Sequence, residues 1–181
     1  MLIIVNKNGG KVLGEDYWGG TRNGGNMFDI NNFRNKPLIT NRYENRLQKL
    51  KSVYNFDTSH IEDTVQKAVK NLDDKIKSFI IYGDPQSGKT EMMIALTAKF
   101  LDIGHKIIII LLNDNVGLLE QNLRRFADAN IDPDPKNFKE ILDDIIEIKN
   151  YEWIVFCKKN TSDLTKLIHK LVEYDDIVII D

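Results

Sequence analysis

The stretch Phe79-Ile80-Ile81-Tyr82-Gly83-Asp84-Pro85-Gln86-Ser87-Gly88-Lys89-Thr90 joins a short apolar run to the start of a long apolar helical pattern. Its last eight residues spell G-x-x-x-x-G-K-T, the P-loop pattern, between a predicted strand and a predicted helix. The glycines let the backbone wrap closely around phosphate oxygens, and the first N–H groups of the helix face the anion. The pattern therefore predicts a nucleoside triphosphate site formed by Gly83, Asp84, Pro85, Gln86, Ser87, Gly88, Lys89 and Thr90.

Two side chains of this loop, and one distant aspartate, are candidates for chemistry. Lys89 is expected to reach the terminal phosphates as a catalytic point charge, and the Thr90 hydroxyl is expected to ligate Mg2+. The apolar run at 177–180 leads directly into Asp181. In P-loop ATPases an acidic residue at the end of such a strand holds the metal. We therefore expect ATP and Mg2+ as cofactors, with Lys89 and Asp181 as catalytic residues and Thr90 and Asp181 as metal ligands.

Composition limits the other function classes. The chain has 181 residues, is 42% hydrophobic and carries a formal net charge of −2, so no global basic field indicates nucleic acid. Cys157 is the single cysteine, which excludes an internal disulfide and favours a reducing cytoplasm. The three histidines are isolated, so zinc binding is not predicted. The apolar run at the N-terminus is too short for a signal peptide or a membrane span.

The first 57 residues differ in character from the rest. They contain Gly-Gly pairs, asparagines and arginines with scattered aromatics, and we predict an irregular segment with a helix at about 43–53. Arginines near stacking aromatics are typical of a nucleic-acid arm, but a segment that wraps the main domain is the favoured interpretation. The domain prediction is therefore an irregular segment at 1–57 and a nucleotide-binding domain at 58–181.

From residue 58 onward, predicted helices and strands alternate. A helix is expected from Ser59, which forms a capping-box pattern with Glu62. Strands are expected at 78–82, 106–112, 153–157 and 177–180, and helices at about 89–102, 116–128, 136–148 and 162–172. The last helix is expected to direct Leu164, Leu167, Ile168 and Leu171 inward. The alternation predicts an α/β domain with a mainly parallel sheet and helices on both faces.

The carboxyl ends of parallel strands meet at one edge of the sheet, where ligands bind. Polar residues follow the predicted strands there: Asn113-Asp114-Asn115, Lys158-Lys159-Asn160 and Asp181. Lys158 and Lys159 are candidates for contact with a phosphate backbone, although a solvated lysine pair is an equally good interpretation.

These motifs resemble superfamily II helicases and related DNA translocases over residues 78–181. Gly83 to Thr90 is similar to their motif I, the strand at 106–112 with the Leu-x-x-Gln that follows is similar to motif Ia, and Ile177 to Asp181 is similar to the start of the DEAD or DEAH box. The run Lys158-Lys159-Asn160 is similar to the Z-one domain family of restriction-type endonucleases.

The resemblance implies a RecA-like P-loop domain and an ATP-dependent helicase or translocase of a bacterial restriction or defence system. It implies a nucleic-acid partner, DNA rather than RNA, and backbone contacts from Asn113 and Asn115. Since Asp181 would be the first acidic residue of a longer motif, we expect an N-terminal part of a longer protein, cut after the Walker B strand and weakly active alone. A P-loop kinase or other phosphotransferase, and a non-catalytic nucleotide switch, are the alternatives. Oligomeric state is not predicted.

Overall fold

The computed structural model describes the backbone of residues 2–6 together with residues 41–83, 88–142, 148 and 151–181. In chain order the elements are β1 (Leu2–Asn6), α1 (Arg42–Tyr54), α2 (Ser59–Asp73), β2 (Ser78–Ile81), α3 (Lys89–Asp102), β3 (Ile107–Leu112), α4 (Val116–Ala129), β4 (Lys136–Asn137), α5 (Phe138–Ile141), β5 (Trp153–Lys158), α6 (Thr161–Leu171) and β6 (Ile177–Ile180).

The described strands form a sheet in the order β2-β1-β6-β3-β5-β4. β3 pairs in parallel with β5 and β6, and β4 pairs in parallel with β5. β1 lies between β2 and β6 and runs antiparallel to both. The predicted mainly parallel α/β fold is therefore confirmed, and an antiparallel strand that was not predicted separates the P-loop strand from the strand that ends at Asp181.

Both faces of the sheet are covered, as predicted for β3 and its neighbours. The even-numbered isoleucines of β3, Ile108 and Ile110, pack with α1, α2, α3 and α4 in one core. The odd-numbered Ile107 and Ile109 pack with α5 and α6 in the other. Side chains alternate across a strand, so a strand that is apolar at every position must be buried on both sides.

The helix after the P-loop is the centre of the larger core. Its residues from Met92 to Ala98 are all buried, and Ile94, Ala95 and Leu96 have no exposed surface. α3 ends at Asp102, just before Gly104, which has φ +101°. The bounds predicted for this helix are confirmed. Its burial is also confirmed, since a helix that is apolar on all sides must be covered by the core.

The capping box predicted at Ser59 is wrong. Ser59 is the first helical residue of α2, and Thr58 is the N-cap. The Thr58 hydroxyl donates to the Glu62 carboxylate, and the Ser59 N–H donates to the Asp57 carboxylate at 2.9 Å. The helix begins where predicted, but the neighbouring threonine and aspartate supply the side-chain contacts.

The helix predicted at 136–148 is also wrong at its start. Lys136–Asn137 pair with β5 as a strand, and the helix begins at Phe138, where Asn137 and Glu140 form a capping box. Asn137 has extended backbone angles that stop the helix from beginning earlier. α5 ends at Ile141, and residues 143–147 of the predicted helix lie outside the described residues.

The predicted inward face of α6 is only partly correct. Leu167 and Leu171 are buried, whereas Ile168 is 63% exposed. Ile168 follows the buried Leu167 directly, so it lies about 100° away from it around the helix, at the border of the buried stripe.

The segment before residue 58 contains the helix predicted there and a strand that was not predicted. The helix predicted at 43–53 is confirmed as α1, and Leu2–Asn6 form a strand of the sheet. Tyr43, Leu47 and Leu50 of α1 join the larger core. Arg22 and Arg34 of the alternative nucleic-acid arm lie in residues 7–40, outside the described residues, whereas Arg42 and Arg46 of that arm lie in α1 and form ion pairs with Glu152 and Glu91. The domain boundary near residue 58 therefore stays a prediction.

Candidate nucleotide-binding site

The P-loop lies where β2 passes into α3. Gly83 follows the strand, and Gly88 precedes the first helical residue, Lys89. Gly88 has φ +75°, a left-handed conformation that suits glycine, and it offers no side chain to the first-turn N–H groups of α3. Asp84, Pro85, Gln86 and Ser87 lie outside the described residues, so their predicted contacts stay predictions. The loop ends therefore have the strand-to-helix setting in which a helix N-terminus binds an anion.

The predicted catalytic lysine is turned onto the start of the loop. The Lys89 ammonium group donates to the carbonyl oxygen of Gly83 at 2.9 Å. This bond holds the cation across the two ends of the loop.

A cleft of about 760 Å3 opens beside the start of α3. Gly88, Lys89 and Thr90 form one wall, and the end of α1 with the turn after it supplies Tyr54 and Phe56. A volume of this size is typical of a small-molecule site. The Phe56 ring lies 3.8 Å from the position that a Cβ on Gly88 would occupy, so aromatic surface directly borders the loop.

A partly buried ion pair stabilises this wall of the cleft. The Arg46 side chain of α1 is 7% exposed and forms an ion pair with Glu91, the residue after Thr90. Its Nε donates to Oε2 of the same carboxylate at 3.1 Å. α1 is therefore fixed against the first turn of α3, and the negative charge of Glu91 is neutralised before it can oppose a phosphate.

The predicted metal ligand Thr90 already contacts a cation. Arg125 of α4 donates from Nη1 to the Thr90 hydroxyl at 3.1 Å. Arg125 also lines the cleft, together with Asp128 and Ala129 one turn further along α4. A helix distant in sequence thus brings a guanidinium group to the predicted phosphate site.

Asp181 lies on the same edge of the sheet as the P-loop. Because β1 is antiparallel to both β2 and β6, those two strands run in the same direction, and both end beside the first residues of β1. β2 and β6 are separated by one strand, β1, so their axes lie roughly 10 Å apart. The Asp181 carboxylate accepts from the Lys159 ammonium group at 2.7 Å.

The residues present fit a magnesium ion that is also coordinated by phosphate oxygens and water. Thr90 and Asp181 offer a hydroxyl and a carboxylate oxygen, the hard donors that Mg2+ prefers. Each of these oxygens accepts a hydrogen bond from a cationic side chain, Arg125 for Thr90 and Lys159 for Asp181. Over the described part of the chain no group of three or more His, Cys, Asp or Glu could hold a metal alone. Phosphate oxygens and water would have to complete the coordination, as Mg2+ commonly requires.

The candidates for nucleic-acid contact are largely engaged within the chain. Lys158 donates to Asp114 at 2.6 Å, which raises the pKa of the lysine and lowers the pKa of the aspartate. Lys159 is paired with Asp181, and the Asn115 side chain caps α4 by accepting from Leu118 N–H at 3.0 Å. Asn113 is exposed beside them. A nucleic-acid role for Asn113, Asn115, Lys158 and Lys159 stays a prediction.

Three features of the site were not found from the sequence. Arg125, the Arg46–Glu91 pair and the aromatic side chains of the α1–α2 turn all come from elements outside the P-loop motif. Helical periodicity places Phe126 inward, and it therefore places Arg125 beside the buried stripe. No sequence signal states that this side of α4 faces Thr90.

The similarity of this chain to known proteins lies at the level of a family model. None of the described helices is long and apolar enough to cross a membrane. No curated protein and no solved structure matched the chain. A family model described as type III restriction enzyme, res subunit, matches residues 51–181, which is more than half of the chain.

That family is helicase-like and ATP-dependent, so the resemblance to superfamily II helicases is confirmed, while a relation to the Z-one domain family stays a prediction. With its P-loop ends, its mainly parallel sheet and this match, the chain belongs to the type III restriction enzyme res subunit family.

Proposed function

We propose that this chain binds ATP with Mg2+ and forms the nucleotide-binding part of a DNA helicase or translocase in a bacterial restriction or defence system. The observation that carries the proposal is the cleft at the start of α3, which is lined by Gly88, Lys89 and Thr90. Asp181 follows a strand that ends on the same edge of the sheet, which supports a second half of the expected ATPase site there.

Each half has a physical role in phosphate chemistry. The first N–H groups of α3 and the Lys89 ammonium group would hold the phosphates and offset charge that develops during in-line attack of water. Thr90 and Asp181 would hold the metal ion, which supplies further neutralisation of phosphate charge when it is bound. Family membership favours this function over a phosphotransferase or a non-catalytic switch.

The DNA part of the proposal rests on the family and on the polar edge of the sheet. The chain has no strong net charge, so contact with a phosphate backbone must be local. Lys158 and Lys159 lie on this edge, and each would have to exchange a carboxylate partner for a DNA phosphate. We expect binding of this kind to weaken steeply as the salt concentration rises.

ATP hydrolysis by the intact protein that contains this domain, measured with double-stranded DNA, single-stranded DNA, RNA of equal length and no nucleic acid, tests the proposal. We expect DNA to stimulate hydrolysis severalfold and Lys89→Ala to abolish it. Transfer of phosphate to a nucleoside or sugar hydroxyl instead of water would support the phosphotransferase. Nucleotide binding without hydrolysis under every condition would support the non-catalytic switch.

A further inference from the structure

Arg125 is a charged residue in the cleft that the P-loop motif does not include. α4 presents it next to Thr90, with Nη1 to Oγ1 at 3.1 Å. Among the described residues no carboxylate forms an ion pair with it. A guanidinium group whose described partner is one neutral hydroxyl retains most of its capacity to bind an anion, because it has five N–H donors.

The position of Arg125 is set by the core and not by chance surface contact. Its neighbour Phe126 is fully buried against Phe156, with ring centroids 4.9 Å apart. Asn122 and Ala129 of the same helix are also buried. These residues fix the rotation of α4, so the side of the helix that carries Arg125 faces the first turn of α3.

The hydrogen bond from Arg125 to Thr90 becomes unfavourable when a metal ion binds the same oxygen. A threonine hydroxyl that ligates Mg2+ would place a divalent cation next to the guanidinium charge, and the two cations would repel each other. Arg125 must then leave Thr90. Phosphate oxygens bound to the same ion would lie within a few ångströms, and a guanidinium group matches them with two parallel N–H bonds.

We propose that Arg125 is a phosphate-binding residue of the nucleotide site, which exchanges the Thr90 hydroxyl for a phosphate of the bound nucleotide when Mg2+ enters. The assignment rests on the proposed ATP site. Arg125 would be a second side-chain cation of that site, after Lys89, and it comes from α4 of the same chain. The contact between α4 and Thr90 would then change when a nucleotide binds.

Binding of two ligands tests the assignment: Mg2+–ATP, and Mg2+ with inorganic tripolyphosphate, which has no base or sugar. Arg125→Ala is compared with Arg124→Ala, which removes the neighbouring exposed arginine that does not line the cleft. We expect Arg125→Ala to weaken both ligands by about 10-fold or more, because a charge-assisted bond is lost, and Arg124→Ala to change neither more than about two-fold. Arg125→Lys should recover part of the loss, since it keeps the charge without the fork.

The possible failures are distinct. If wild type binds both ligands and the two alanine variants bind them equally well, Arg125 is not a phosphate ligand, although the ATP site stands. A loss for ATP alone, with tripolyphosphate unaffected, would overturn the assignment by pointing to a base or sugar contact. If wild type binds neither ligand, the proposed function and this assignment both fail. Thermal unfolding of each variant verifies that the fold is retained.

Discussion

The two oxygen groups expected to hold Mg2+ each accept a hydrogen bond from a cationic side chain of the same chain. Lys159 lies 2.7 Å from Asp181, and Arg125 lies 3.1 Å from Thr90. A cation on a flexible side chain can neutralise a carboxylate until a metal ion replaces it. Lys159 therefore balances the charge of Asp181, and Mg2+ would have to compete with it.

Lys159→Ala removes this competitor. We expect the Mg2+ concentration needed for half-maximal ATP binding to fall by about two- to five-fold, the range expected for a partly exposed ion pair. Lys158→Ala is the matched control, because its partner Asp114 follows a different strand. Titration of Mg2+ at fixed ATP with a fluorescent competitor measures this. An Mg2+ requirement that rises, or that equals the value for Lys158→Ala, contradicts the competition.

Cys157 shows how burial suppresses a reactive group. The residue has no exposed surface, and burial raises the pKa of its thiol to about 12. The unfolded chain would lose this proton at lower pH than the native protein. The contribution of the buried thiol to the free energy of unfolding is therefore full below the ordinary thiol pKa and is lost as pH rises toward about 12.

We therefore expect the urea midpoint of wild type to fall more than that of Cys157→Ala between about pH 8 and about pH 10.5. Native protein at about pH 8 should also resist an aromatic disulfide reagent until it is unfolded. Parallel pH dependences in the two proteins, or fast labelling without unfolding, would place the thiol outside the core.

At the level of elements, one carboxylate joins α1 to the domain. Asp102, the last residue of α3, accepts hydrogen bonds from the backbone N–H groups of Arg42 at 3.3 Å and Tyr43 at 2.9 Å. The Asn41 N-cap makes no side-chain cap bond of its own. Asp102 also forms an ion pair with the Arg42 side chain, which is 8% exposed. α3 therefore supplies the N-terminal cap of α1 through tertiary contact.

Asp102→Ala should lower the free energy of unfolding by about 1–3 kcal/mol, since it removes a cap and one partner of a largely buried arginine. Asp63→Ala is the comparison: its carboxylate pairs with Lys67 on the surface, so its cost should stay below about 1 kcal/mol. Urea denaturation of the two variants measures the difference. Equal costs would show that α1 does not depend on this contact.

Strong local patterns predicted elements well, and capping details poorly. α3 and β3 were predicted closely because their apolar patterns are long and continuous. At Ser59 the sequence offers threonine, aspartate and serine in adjacent positions, and a one-residue shift in the helix start changes which of them caps it. At Lys136–Asn137 the pairing with β5 overrides helical periodicity, and that pairing joins residues distant in sequence.

At the scale of the whole molecule, the order of the strands in the sheet could not be predicted from sequence patterns. The alternation of elements predicts parallel pairing, but β1 is inserted antiparallel between β2 and β6. Its five residues give no signal of where in the sheet they pair. The P-loop and Asp181 were predicted to share an edge, and this follows from strand direction alone. The contact between Arg125 and Thr90 depends on how α4 packs against α3 and was not predicted.

The two-sided core leads to a stability prediction with an internal control. Phe156 is fully buried in β5 against Phe126, so Phe156→Ala should cost about 3–5 kcal/mol through lost burial and a residual cavity. Ile168 is 63% exposed on α6, so Ile168→Ala should change stability by about 0.5 kcal/mol or less. Urea denaturation distinguishes them. A comparable cost at Ile168 would mean that α6 is covered as periodicity predicted.

The central claim is that the cleft at the start of α3 is a nucleotide site, and calorimetric titration of Mg2+–ATP into wild type and Lys89→Ala tests it most directly. Lys106→Ala is the control, because this exposed lysine precedes β3 at the opposite edge of the sheet. We predict that Lys89→Ala weakens binding by at least about 10-fold, since it removes a charge-assisted bond to phosphate, while Lys106→Ala binds like wild type. Equal ATP affinity in all three proteins, or no binding to wild type, would contradict the account.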